Sequence, residues 1–195
     1  MDEEKSPITL KKLEQSDSKT LFEWHSHPIV WKNFTDKKPP TEGNHLKWIA
    51  ENIENETKVV YIAKTDRTPV GVVKFYDFCT KKKTASWSFY LDPSLKGRGI
   101  GALIEFRALD EYFYALSQKT LRCVVFSENH TVINLHKRFG FVSDNYGKLV
   151  HIPLDKSVEV VHLKLTSQRW MSARPEVKER LSKAVKKIYS INSII

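Results

Sequence analysis

The feature that most constrains this chain is a cluster of glycines in a sequence that otherwise uses few. The 195 residues contain seven glycines, and Gly97, Gly99 and Gly101 fall within one short segment. This cluster follows a predicted strand, precedes a predicted helix and carries cations at Lys96 and Arg98. Bare glycine backbone lets successive N–H groups face one concavity, and a helix N-terminus adds unpaired donors and partial positive charge. The segment therefore predicts a cradle for a pyrophosphate group.

Length and composition indicate one globular domain with an anionic partner. The chain has a mass of 22.7 kDa, 41% hydrophobic residues and 28% charged residues, which excludes a disordered or fibrous protein. A net charge of +9 favours an anionic ligand, but charge alone does not distinguish a nucleic acid, a membrane surface or a phosphorylated small molecule.

Several classes of protein are disfavoured by what the sequence lacks. The two cysteines, Cys79 and Cys123, are far apart, and the seven histidines have no metal-ligand spacing, so neither a disulfide framework nor a metal site is predicted. No apolar run approaches the roughly 18 residues of a membrane span, and the acidic N-terminus does not resemble a secretion signal. These features predict a cytoplasmic protein without a membrane partner.

Hydrophobic periodicity predicts an α/β (α+β) domain over residues 1–170. Strands are predicted at about residues 8–12, 58–64, 70–78, 84–91, 121–126, 141–152 (with a turn near residues 145–147) and 158–165. Helices are predicted after Ser16, after Thr41, and at about residues 102–116 and 129–138, whereas residues 24–40 are predicted as a loop with at most one helical turn. Residues 171–195 are predicted to include a basic helix that begins near Pro175 and packs on the domain or on the partner subunit of a homodimer.

The motifs around the glycine cluster resemble a known superfamily. After the cluster come a helix, an apolar strand and the pattern Asn129-x-x-Val132-x-x-Leu135-His136-x-x-x-Gly140-Phe141. Together they resemble the GCN5-related N-acetyltransferase (GNAT) superfamily, most strongly over residues 59–141. The resemblance implies a mixed central sheet of about six or seven strands, with one splayed parallel pair and flanking helices. Lys96 stands where the family usually has Arg or Gln, and His136 where it usually has Tyr.

The resemblance also implies a site for acetyl-CoA as cosubstrate, without a metal. The loop that matches the family's pyrophosphate-binding segment comprises Lys96, Gly97, Arg98, Gly99, Ile100, Gly101 and Ala102. The pantetheine arm is expected between the splayed strands, which end near Leu91 and begin near Leu121. There the N–H near Leu91 would polarise the thioester carbonyl. Asn129 matches a residue that contacts the pantetheine arm.

The implied reaction is direct transfer of the acetyl group to a primary amine, which needs a proton donor for the departing thiolate and a proton acceptor for the amine. His136 matches the family's proton donor, although it could equally pack against the cosubstrate while water protonates the thiolate. His45 and Tyr90 are the first candidates for the proton acceptor. Glu42, Asp77, Glu105 and a relayed water are the alternatives.

The N-terminal half is similar to the branch of the superfamily that acetylates nucleotide-linked amino sugars in the pseudaminic acid pathway. The resemblance implies an acceptor pocket lined by Trp24, His25, His45 and Trp48, and the alternation of strand side chains directs Tyr90 to the same pocket. The tryptophans could instead be core residues. The same layout also resembles enzymes that acetylate ribosomal-protein N-termini, polyamines or aminoglycosides. The charge of +9 disfavours polycationic acceptors, so a peptide amine is the main alternative.

A hypothesis from another class is a basic module that binds RNA or the ribosome. The run Lys81, Lys82 and Lys83 and the C-terminal helix would form its contact surface. The remaining basic residues are dispersed, and no nucleic-acid-binding signature is present, so this hypothesis is the weaker one.

Overall fold

The computed structural model describes residues 7–33, 38–55, 57–151 and 156–192. Within these ranges the strands are β1 (Thr9–Lys12), β2 (Val59–Thr65), β3 (Thr68–Cys79), β4 (Thr84–Leu91), β5 (Thr120–Phe126), β6 (Val142–His151) and β7 (Lys156–Thr166). The α-helices are α1 (Ser18–Ser26), α2 (Pro28–Trp31), α3 (Glu42–Ile53), α4 (Ile100–Asp110), α5 (His130–Arg138) and α6 (Ser167–Asn192).

The strands form one mixed sheet in the order β1-β2-β3-β4-β5-β7-β6. The first four strands are an antiparallel meander, as the turn signals predict, and β4 and β5 are parallel. The mixed sheet, its parallel pair and the flanking helices confirm the predicted fold class.

The parallel pair is joined over only three residues of each strand. Thr84–Ser86 pairs with Thr120–Arg122, and the pairing then stops. In the described part of the chain, Trp87–Leu91 of β4 and Cys123–Phe126 of β5 have no strand partner on their facing edges. We call this opening the splay. It is the predicted divergence of two parallel strands, and it leaves two rows of backbone hydrogen-bonding groups available to a ligand.

Helices cover the two faces of the sheet unequally. The larger hydrophobic layer contains residues of α4, α5 and α6 and lies against one face of all the central strands. The smaller layer joins α1 and α3 to β2, β3 and β4 through Leu21, Ile49, Val60 and Val72. Tyr90 packs on this smaller layer, whereas its neighbours Phe89 and Leu91 pack on the larger one, because successive side chains of a strand alternate.

Two local predictions are corrected by the structure. The first helix continues two residues beyond Trp24, to Ser26, whereas α2 is the single helical turn allowed for in this segment, with Pro28 at its first position, where a missing N–H costs nothing. No turn interrupts β6 near residue 145. Instead, the pairing with β7 shifts by one residue between Ser143 and Asn145, which forms a β-bulge where the turn was predicted. The predicted end of this strand at Ile152 lies outside the described residues.

The C-terminal helix begins at Ser167, earlier than the predicted start at Pro175. The Thr166 hydroxyl accepts a hydrogen bond from the Arg169 N–H and so caps the helix. Pro175 therefore lies inside α6, where it leaves the carbonyl of Met171 without its helical donor. Met171 is 61% exposed, so water can hydrate that carbonyl.

The first half of α6 packs against the domain. Trp170 is fully buried, stacks on Phe139 and donates from Nε1 to Asp110 Oδ1 at 3.1 Å. Arg174 forms two further bonds to the same carboxylate, at 2.7 and 2.8 Å. Val177, which is 2% exposed, extends the contact by one turn.

We expect Arg174→Ala to lower the free energy of unfolding by about 1–3 kcal/mol, because it removes both charge-assisted bonds to the partly buried Asp110. Lys183→Ala is the matched control, since its ion pair with Glu179 lies on the exposed side of α6, where water and salt screen it. Urea unfolding of both variants tests the expectation. Equal losses would mean that the Asp110 contact does not hold the helix in place.

Candidate active site

The open edges of the splay carry regularly spaced backbone donors and acceptors. Asp92 N donates to Val70 O at 3.0 Å, so the next pair along the ladder, Leu91 and Gly71, does not bond. The N–H and C=O groups of Leu91 and Phe89 therefore face the splay. The same alternation applies on β5, where Ser127 N donates to Glu159 O at 3.0 Å. The N–H and C=O groups of the preceding residue and of every second residue before it therefore face β4.

The glycine loop lies at the wide end of the splay and ends in the first turn of α4. Gly97 and Gly99 have φ values of +82° and +79°, which few other residues adopt, and a Cβ on either would meet nothing within 4 Å. Ala102 N donates back to Gly99 O at 3.1 Å, so the loop closes directly into the helix. The amides of Ile100 and Gly101 belong to the first helical turn, where no earlier helical carbonyl is available to accept. This geometry suits an anion.

His136 lies under the splay, on the face covered by α4 and α5. It is 3% exposed, and its ring is 5.4 Å from that of Trp87 and 6.1 Å from that of Phe89, both on β4. Its Nδ1 is 2.8 Å from Oε1 of Glu105, which is fully buried on α4. Glu105 thus belongs to the His136 site, and sequence reasoning gave it only as an alternative proton acceptor.

The protonation of His136 follows from its surroundings. Burial alone would lower its pKa, but the Glu105 carboxylate and Cys123 more than offset this effect and raise the pKa of His136 to about 10. His136 is therefore an imidazolium at neutral pH, paired with a carboxylate. In the described part of the chain, Glu105 Oε2 and Trp87 Nε1 are buried without a hydrogen-bond partner, as expected of groups that meet a ligand or an ordered water.

A second group of site residues lies on the opposite face of β4. His25, His45, Trp48 and Tyr90 form a packed set, with the His25 ring 5.1 Å from Trp48 and 5.0 Å from Tyr90. We call this set the imidazole–aromatic cluster. Thr41 and Asp17, the residues before α3 and α1, begin the two helices that carry its histidines. The structure thus brings together four of the five predicted acceptor-binding residues, while Trp24 lies in the hydrophobic layer beneath them.

The two histidines of the cluster are hydrogen-bonded in a defined order. Ser18 O accepts from His45 Nε2 at 2.8 Å, and with the proton on Nε2 the His45 Nδ1 is placed to accept from His25 Nδ1, which lies 3.4 Å away. Burial, with His45 and Lys74 nearby, lowers the pKa of His25 to about 4, so His25 is neutral at pH 7 and its Nε2 is an acceptor. Burial raises the pKa of Tyr90 well above its usual range, which keeps its phenol a hydrogen-bond donor.

The lowered pKa of His25 predicts a pH dependence of stability. The folded protein binds this proton less readily than the unfolded chain, so the stabilisation is complete above about pH 6.5 and is lost as the pH falls toward 4. Between pH 7 and pH 4.5, we expect the decrease in the free energy of unfolding to be about 2–3 kcal/mol smaller in His25→Phe than in the parent. Urea unfolding at pH 7 and pH 4.5 measures it, with exposed His130→Gln as control. The same pH dependence in His25→Phe and the parent would contradict the expectation.

Other predicted residues have visible structural roles. Asn129 caps α5, with Oδ1 accepting from Val132 N at 3.3 Å, and its Nδ2 lies 3.4 Å from Asn33 Oδ1 just after α2. Glu42 is an exposed residue of the first turn of α3, and Asp77 is exposed in an irregular part of β3 with φ +55°.

Sequence reasoning missed the cations on the acceptor side of the sheet. Lys74 lies over the rings of Tyr76 and Trp48, at 5.3 and 6.0 Å. Arg122 and His162 line a pocket on the same face of the sheet. The signal was present in the alternation of β5, where Arg122 interrupts an apolar strand on its exposed side.

These features define an acetyltransferase. Residues 8–142 match the family described as Acetyltransferase (GNAT) domain, and the chain belongs to that family of acetyl-CoA-dependent N-acetyltransferases. Acetyltransferase PseH of Campylobacter jejuni is 25% identical over 146 residues, which cover 74% of this chain and 90% of the relative. The SPbeta prophage-derived N-acetyltransferase YokL of Bacillus subtilis is 23% identical over 138 residues, covering 70% and 77% of the two chains.

Solved structures share the fold. The crystal structure of spermidine N-acetyltransferase from Vibrio cholerae in complex with CoA and spermine has a TM-score of 0.75, at 18% identity over 85% of this chain and 99% of that one. No helix in the described ranges is long and apolar enough to cross a membrane. The described residues also contain no group of three or more His, Cys, Asp or Glu residues placed to hold a metal ion.

The residues present fit acetyl-CoA. The open strand edges match the extended amide-bearing pantetheine arm, and the uncrowded glycine backbone at the start of α4 matches a pyrophosphate. Leu91 and the loop Lys96 to Ala102 are the residues that would hold it. The thioester supplies the acetyl group.

Proposed function

We propose that this chain acetylates the primary amine of a nucleotide-linked amino sugar. The observation that carries the proposal is the imidazole–aromatic cluster, which pairs flat apolar rings with neutral imidazoles on the acceptor side of the splay. Rings of this kind suit a nucleobase or sugar face, and Lys74 beside them suits a phosphate. The similarity to PseH and the resemblance of Trp24, His25, His45 and Trp48 to the nucleotide-amino-sugar branch support the same acceptor.

In the proposed reaction, residues on the two faces of β4 divide the proton transfers. The imidazolium of His136 protonates the departing thiolate from below the splay and becomes a neutral imidazole, and the Glu105 carboxylate favours its reprotonation by a proton from solvent. The backbone N–H of Leu91 stabilises negative charge on the carbonyl oxygen. On the other face, His25 Nε2 accepts the amine proton, and the His45 bond to Ser18 holds His25 in the required tautomer.

This assignment changes the role predicted for His45 and Tyr90. His45 uses both ring nitrogens within the protein, so it positions His25 and does not itself reach the amine. Tyr90 remains a neutral phenol and serves as a donor to the acceptor. His25, predicted only to line the pocket, becomes the proton acceptor.

Thiol release tests the proposal. At saturating acetyl-CoA, we expect turnover with a UDP-linked amino sugar and much slower turnover with spermidine or with a peptide bearing a free N-terminus. Activity confined to peptides would replace the sugar by a protein acceptor. Absence of acetyl-CoA binding in calorimetry, together with salt-sensitive RNA binding, would favour the non-catalytic alternative.

A further inference from the structure

We propose that Arg122 and His162 form a subsite for an anionic group of the acceptor, at the closed end of the splay. The inference extends the proposed function, since it names the chemistry that this acceptor must carry. It starts from a pocket of 130 Å³ on the acceptor side of the sheet, whose polar side chains are Tyr76, Ser86, Arg122 and His162. We call it the vertex pocket.

The register of three strands brings these side chains together. Ser86 is paired with Arg122 at the last joined position of β4 and β5, and Tyr76 is opposite Ser86 on β3. His162 is opposite Val124, two residues beyond Arg122 on β5. All of them lie on the face opposite the buried Cys123, and in the described ranges no helix of the larger layer covers that face.

The charges of the pocket select an anion. Its polar side chains are a guanidinium, an imidazole and two hydroxyls, and none is a carboxylate. Two carboxylates lie near it: Asp144, whose pKa is lowered first by a hydrogen bond to Lys164 and further by Arg122 and His162, and Asp77, which follows Tyr76 on β3. In the described part of the chain, Arg122 forms no ion pair. Its planar donors are therefore available for a phosphate or carboxylate.

The position of the pocket relates this anion to the reacting amine. Ser86 is five residues from Leu91 along β4, or about 17 Å at the usual strand rise, and the Leu91 N–H is the group assigned to the thioester carbonyl. An acceptor whose amine reaches the thioester carbonyl would thus place an anionic group about 17 Å away. Burial and Asp77 raise the pKa of the Tyr76 phenol, so Tyr76 adds a neutral donor beside Arg122.

The test is made on the complex with CoA, so that the glycine loop is already occupied. Inorganic pyrophosphate and glutarate are titrated into CoA-saturated protein by calorimetry, and the two arms distinguish a phosphate from a carboxylate ligand. We expect Arg122→Gln to weaken binding of the preferred anion at least ten-fold and His162→Gln to weaken it less, whereas Arg122→Lys retains part of it. Arg67→Gln, which removes an arginine from the exposed turn between β2 and β3, is the matched control.

Kinetics separate this subsite from the enzyme as a whole. With the acceptor found by thiol release, Arg122→Gln is expected to raise the acceptor KM at least ten-fold while the KM for acetyl-CoA stays unchanged. Binding of neither anion by the parent, or equal binding by Arg122→Gln and the parent, would overturn the proposal. The calorimetry needs no turnover, so the anion-binding result stays valid even if the proposed acceptor is incorrect. Failure of anion binding, in turn, would not contradict the acetyltransferase activity.

Discussion

Replacement of His136 by phenylalanine is expected to lower kcat at saturating acetyl-CoA by at least about 100-fold, the lower end of what a positioned proton donor contributes. His136→Tyr, which introduces the hydroxyl donor usual in the family, is expected to recover most of the rate. Equal turnover by the parent and both variants would leave His136 as a packing residue and water as the proton donor. The unfolding free energy of each variant controls for the loss of the buried pair with Glu105.

The pH profile distinguishes proton donation from packing. His136 has a raised pKa, so its acidic form is complete at neutral pH and is lost only as the pH rises through about 10. We expect Glu105→Gln to move this loss to lower pH, because the Glu105 charge then no longer opposes burial, which lowers the pKa. The measurement is kcat against pH from 6 to 10 for the parent and Glu105→Gln. Profiles of the same shape would show that the Glu105 carboxylate does not set the protonation of a catalytic imidazole.

Hydrophobic periodicity, together with turn and cap residues, predicted most of the architecture. The meander, the interior strand β5 and the helix after Asn129 are each signalled by local residues whose chemistry the structure uses, such as the Asn129 side chain that caps α5 and Gly140 with φ +94° after it. The predicted start of α6 near Pro175 was wrong. It was placed there because prolines are common in the first turn of a helix. The Thr166 cap supplied an earlier start, and the proline lies inside the helix four residues after the exposed residue Met171.

The contacts of the candidate site were harder to predict, because they join residues distant in sequence. His136 and Glu105 are 31 positions apart, and only the packing of α4 against α5 brings them together. A signal for Glu105 does exist: buried Ala108 and Leu109 follow it at helical spacing, which places a carboxylate on an apolar face. Such a residue needs a buried partner, and His136 on the apolar face of α5 provides one.

The two faces of β4 explain why one strand can serve two substrates. Its backbone edge faces the splay and the cosubstrate, while Phe89 and Tyr90 pack on opposite layers. The proton donor and the proposed proton acceptor therefore lie on opposite sides of the strand. Direct transfer is compatible with this arrangement, because the amine and the thiolate are separate substituents of the tetrahedral intermediate and each can meet its own proton-transfer group.

Replacement of Gly99 is expected to weaken acetyl-CoA binding more than any other single change in the loop. Gly99→Val combines an unfavourable backbone conformation, costing about 1–2 kcal/mol at φ +79°, with a side chain in the space beside the first turn of α4. We expect the KM for acetyl-CoA to rise at least about 30-fold, with a smaller effect on kcat at saturation. Gly43→Ala is the matched control, because its Cβ also meets nothing within 4 Å but its backbone is ordinary helix.

Gly99→Asn separates backbone strain from occupation of the cradle. Asparagine tolerates a positive φ, so this variant is expected to unfold at nearly the parent's denaturant concentration. A Cβ at this position contacts no protein atom within 4 Å, so a raised dissociation constant for acetyl-CoA in Gly99→Asn reports on the ligand that shares the space. An unchanged constant in Gly99→Asn, with a loss confined to Gly99→Val, would reduce the role of Gly99 to chain geometry and place the pyrophosphate away from this residue.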